Sequence, residues 1–98
     1  MQTIWMTTAE VRLEPEDASP GYNHGFMRIC VWAESEEEFL KKLKDYLESY
    51  QWFLMGVEMT HEADLTRDYG DEINQMIDET QQDRNAIRLG TFYSYPVN

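Results

Sequence analysis

The sequence predicts an α+β fold: a two-layer, open-faced sandwich in the order β-β-α-β-α-β, with a four-stranded mixed sheet and two helices on one of its faces. Three observations predict it. Four segments are rich in β-branched, aromatic and aliphatic residues, and two others place apolar side chains at 3.6-residue spacing. The chain shows no repeat, linker or domain boundary, so residues 1–98 read as a single domain.

The first strand runs from Thr3 to Leu13. Trp5, Ala9, Val11 and Leu13 share one face with Thr7, while Glu10 and Arg12 point the other way, so one face is expected to be solvated. Pro15 to Gly25 follows as an acidic loop whose two prolines and two glycines oppose regular structure. A loop of that length invites a functional reading, and Tyr22 and His24 are its large side chains. Phe26 to Ala33 is nearly continuously apolar and reads as a central strand antiparallel to the first.

Ser35 opens the first helix as N-cap, with Glu38 three residues on completing a capping box and Glu36, Glu37 and Glu38 at the positive end of the helix dipole. Phe39, Leu40, Leu43, Tyr46, Leu47 and Tyr50 form its apolar stripe, and Glu37–Lys41 and Glu38–Lys42 are spaced to pair along it. Trp52 to Met59 reads as a third strand in which Gly56 marks a bulge or a close backbone approach. After a polar connection, Asp64 to Gly70, Asp71 is expected to cap a short second helix with Ile73, Met76, Ile77 and Thr80 on one face. Gln81 to Asn85 ends it, and Ala86 to Tyr95 supplies the last strand. Both β-α-β steps are expected to be right-handed crossovers, which would put the two helices on the same side of the sheet.

Composition bounds the function. The chain has 98 residues, 42% of them hydrophobic and 13% aromatic, enough for one core and unlike the aromatic-poor composition of disordered chains. Nineteen acidic side chains against eight Lys and Arg give a net charge of −11. Such a surface repels phosphate backbones and anionic membranes, so neither direct nucleic-acid binding nor membrane binding is expected. A basic protein partner is favoured instead, against the plainer reading that acidity serves solubility alone. The single cysteine, Cys30, permits no internal disulfide and reads as a small buried hydrophobe. The start of the chain lacks the basic and apolar regions of a signal peptide, and no window holds the ~18 apolar residues of a membrane helix. A cytoplasmic location is the expectation.

Chemistry-bearing patterns are sparse. His24 and His61 have no second ligand at metal spacing, and strand alternation would turn His61 away from Glu58, Thr60, Glu62 and Asp64. His61, with Glu10 or Glu58 beside it, is the best single general base, but no spacing promotes it, and no nucleophile or phosphate-cradling loop is present. Catalytic, metal-binding and cofactor residues are therefore not assigned, and no cofactor is expected. The surplus of strand aromatics points to an interface. Candidate contact residues are Trp5, Tyr93 and Tyr95 among the aromatics, and Glu14, Glu16, Asp17, Glu34, Glu36, Glu37 and Glu38 among the acids.

The expected function is thus a small acidic non-enzymatic protein-binding module, in its sharp form an inhibitor of immunity or anti-defence type that occupies a basic or nucleic-acid-binding protein. One alternative is a small-molecule-binding or catalytic homodimer, joined through the open sheet face, with a pocket between sheet and helices lined by Trp32, Trp52 and Tyr95 and holding His61 or Cys30. The other is a structural subunit of a larger assembly.

Overall fold

A computed structural model describes residues 2–13 and 24–95. The α+β order β-β-α-β-α-β holds: β1 (Thr3–Leu13), β2 (His24–Ala33), α1 (Glu36–Ser49), β3 (Trp52–Glu62), α2 (Asp71–Gln82), and a last edge strand in two pieces, β4 (Ile87–Leu89) and β5 (Tyr93–Tyr95). The sheet order is β3-β1-β2-β4, with β5 also on β2, and every pairing is antiparallel. This corrects the mixed sheet expected from the sequence. Because β3 and β4 run in opposite directions at opposite edges, the β3-α2-β4 connection is not a parallel crossover, and the handedness rule does not bind it.

The second correction concerns the helices. Odd-numbered residues of the central strands (Ala9, Val11, Met27, Ile29, Val31) pack against Phe39, Leu43 and Leu47 of α1. Even-numbered ones (Ile4, Met6, Cys30) pack against Ile73, Met76 and Ile77 of α2. Successive strand residues point to opposite faces, so the two helices lie on opposite sides of the sheet. Ile4 and Met6 each need cover, and α2 supplies it. Among the described residues, the face that remains open is the half of the α2 side beyond that helix.

Local chemistry explains the helix boundaries. The Ser35 hydroxyl accepts from the Glu38 N–H at 3.1 Å, as an N-cap should. The Glu38 carboxylate turns instead to Lys42, at 3.0 Å, and that pair holds its pKa below the usual carboxylate range. At α2 the cap is Gly70, not Asp71. Its φ of 95° lies in the left-handed region that favours glycine. Asp68 accepts from the Gly70 N–H and the Asn74 amide, both at 2.9 Å, while Asn74 accepts from the Tyr69 N–H at 3.1 Å. Side chains on either side thus satisfy the turn that Asp71 was expected to close.

Both edges carry bulges. On β3 the register slips between Met6 and Thr8 of its partner, and again between Glu10 and Val11. The expected break at Gly56 falls in the second slip, next to Met55, and open space rather than another backbone faces Gly56. The first slip centres on Met59, whose φ is 54°. Met55 and Met59 are extruded and exposed. On the other edge, Gly90 to Phe92 interrupts what was expected to be one continuous strand, and Glu72 accepts from the Thr91 N–H at 2.6 Å to hold the break.

Candidate functional site

Beyond α2, the even face of the sheet presents Glu10 and Arg12 from β1, His24 and Phe26 from β2, Phe53 from β3 and the two tyrosines of β5. Register places them side by side: Glu10 faces Phe26, Arg12 faces both His24 and Phe53, and Tyr95 and Tyr93 face His24 and Phe26. Phe26 lies 5.5 Å from Tyr95 and His24 5.9 Å from it, between ring centroids. The Arg12 guanidinium sits 4.9 Å over the Phe53 ring. The Tyr95 hydroxyl donates to Glu10 at 2.6 Å, and that bond with the nearby carboxylate raises the phenol above its ordinary range. Tyr93 is 61% exposed. Neither helix covers this group.

The β5 bulge sorts the aromatic run. Phe92 turns to the α1 side, where its ring packs near Trp52 and over Gly25, while Tyr93 and Tyr95 share the opposite face as their alternation requires. A β-carbon on Gly25 would meet the Phe92 ring and the Tyr93 carbonyl oxygen at 2.6 Å each.

The other sequence candidates separate from this surface. Trp5 is half-buried on the α1 side, stacked on Phe39 at 6.3 Å. Glu34, Glu36 and Glu37 are exposed and Glu38 half-buried at the start of α1. They follow Ala33, the last residue of β2, whereas the tyrosines flank its first residues, and a ten-residue strand spans about 30 Å. The acidic cluster and the tyrosines therefore occupy opposite ends of the sheet. Glu14, Glu16 and Asp17, like Tyr22, lie outside the described residues.

No family model, curated protein or solved structure matches the chain.

The pocket expected among Trp32, Trp52 and Tyr95 does not form, because the strands send the three rings to different places. Trp32 donates its indole N–H to the Thr80 carbonyl at the end of α2 and carries Arg84 at 4.6 Å over its ring. Trp52 is beside Phe92 on the α1 side, and Tyr95 is on the open face. Cys30 is buried beneath α2, and burial pushes its thiol up to about 12, the opposite of nucleophile activation.

His61 stands on a different face from the one strand alternation predicts. The Met59 bulge rephases β3, so that His61 opposes Met6 and Glu58 opposes Thr8, both even positions of β1. His61 and Glu58 thus share a face that plain alternation denied them. The recorded partners of His61 are the Glu62 carbonyl, 2.9 Å from Nδ1, and the Tyr69 ring, stacked at 6.2 Å. The carbonyl only accepts, so Nδ1 carries the proton in this pair. Among the described residues, no three His, Cys, Asp or Glu side chains gather as a metal site would require. No described helix is long and apolar enough to cross a membrane.

Proposed function

We propose that this chain is a non-enzymatic protein-binding module that captures a basic protein partner on the half of its sheet that neither helix covers. The observation that carries the reading is the cluster of Phe26, Phe53, Tyr93 and Tyr95 outside both helices, interleaved with Arg12 and Glu10. Tyrosine, phenylalanine and arginine are the residues in which protein interfaces are enriched, and rigid rings supply contact area at low entropic cost. The net charge of −11 acts differently. It steers a basic partner over distance and raises the association rate, while the rings set how long the complex lasts. An inhibitor that occupies the basic groove of a nucleic-acid-binding protein is the specific form this reading favours.

The test is affinity capture from the native host lysate at low and high salt, with the captured protein identified and its association rate measured. A basic partner whose association slows steeply as salt rises supports the reading. Recovery of the bait alone at both salts, or a partner whose affinity ignores salt, refutes it.

A further inference from the structure

A concavity lies on the α2 side of the sheet, between the Met59 bulge and the loop that leads into α2. Its volume is about 270 Å³. Thr8 of β1 and Arg28 of β2, direct register partners, meet there with His61 of β3 and with Arg67 and Tyr69 of the loop. The apolar part of the lining is Met6, Met59 and Ile73.

In a chain of nineteen acids, eight Lys and Arg and two His, the meeting of two arginines and a histidine on one small cavity runs against composition. Neither arginine is in an ion pair among the described residues, whereas Lys42, Lys44 and Arg88 are. The acid in the lining, Asp68, is committed elsewhere: it accepts from the Gly70 N–H and the Asn74 amide, which hold its pKa below the usual range. Asp64, next to the cavity, accepts chiefly from the backbone N–H and hydroxyl of Thr66, with the more distant Arg67 charge adding to the lowering of its pKa. The Tyr69 ring is held from three directions. It stacks on His61, carries the Arg67 guanidinium at 5.2 Å, and its hydroxyl accepts from the Asp64 N–H at 3.0 Å.

We propose that this cavity binds a small organic oxyanion: one phosphate or carboxylate head on a compact apolar or aromatic body. Guanidinium forks match the paired oxygens of either head, and two of them on one cavity offset the repulsion of an acidic chain. The Thr8 hydroxyl and the His61 ring offer further polar contacts, and the Tyr69 ring with the two methionines receives the apolar part. The volume lies at the low end for small-molecule sites, which limits the ligand to about the size of a one-ring acid.

The test is a two-dimensional amide NMR titration of the full chain with phenyl phosphate, benzoate and, as an uncharged control, phenol. Saturable shifts are expected at Thr8, Arg28, His61 and Tyr69 with at least one of the acids and not with phenol, and the tighter acid identifies the head. In the Arg28→Gln, Arg67→Gln double variant the affinity should fall at least tenfold. Both arginines are exposed, so the variant should retain the wild-type spectrum elsewhere. The proposal is overturned if neither acid gives saturable shifts at these residues, if phenol gives the same ones, or if the folded double variant binds as tightly as the parent.

Discussion

Cys30 and Tyr95 are two titrating groups whose surroundings push them the same way for different reasons. Burial against α2 raises the Cys30 thiol from its ordinary 9.0 to about 12. The unfolded chain therefore loses its thiol proton first, and the stabilisation is complete below about pH 9 and is lost as pH climbs toward 12. At mildly alkaline pH the native thiol should resist a disulfide reagent and react only as the chain opens, so adding denaturant should accelerate labelling. Rapid stoichiometric labelling of the native protein would contradict this placement. Tyr95 is raised by its bond to Glu10. The contribution of that bond is present below the ordinary tyrosine range and fades as pH rises through the folded value. The phenolate absorbance difference between wild type and Tyr95→Phe should show a late-titrating tyrosine, and Glu10→Gln should move it back toward the ordinary range.

Individual elements differ in how far the sequence exposed them. The stripe of α1 and that of α2 were both legible, because Phe39, Leu43 and Leu47, and Ile73, Met76, Ile77 and Thr80, follow helical spacing and are all buried. The sides to which the helices pack are legible as well: the even face of the first strands is apolar at Ile4, Met6, Cys30 and Trp32 and turns polar at Thr8, Glu10 and Arg28. A strand apolar on both faces at one end needs cover on both. The Met59 bulge was not legible. A positive φ at methionine has no composition signal, and a one-residue slip sends His61 to the other face. Gly25 gives an element-scale prediction. Gly25→Ala drives a methyl into the Phe92 ring and the Tyr93 carbonyl, and should cost about 1–3 kcal/mol as a lower urea midpoint. An unchanged midpoint would mean that β5 is not held on β2 in this register. On the α1 side, Phe39→Ala should cost about 3–5 kcal/mol, since that ring is fully buried beneath Trp5.

At the scale of the molecule, charge and aromatic surface are separate assets. The exposed glutamates at the start of α1 and the tyrosines of β5 mark opposite ends of β2, so no single small contact engages both. In the proposed binding, that division gives them different roles. The measurement that bears most directly on it compares two variants against the captured partner by surface-immobilised kinetics. Tyr93→Ala should raise the dissociation rate at least tenfold and leave association nearly unchanged. Glu36→Lys with Glu37→Lys should slow association and leave dissociation nearly unchanged. If Tyr93→Ala binds like wild type while the charge reversal dissociates rapidly, the glutamate end is the contact surface and the open aromatic half is not.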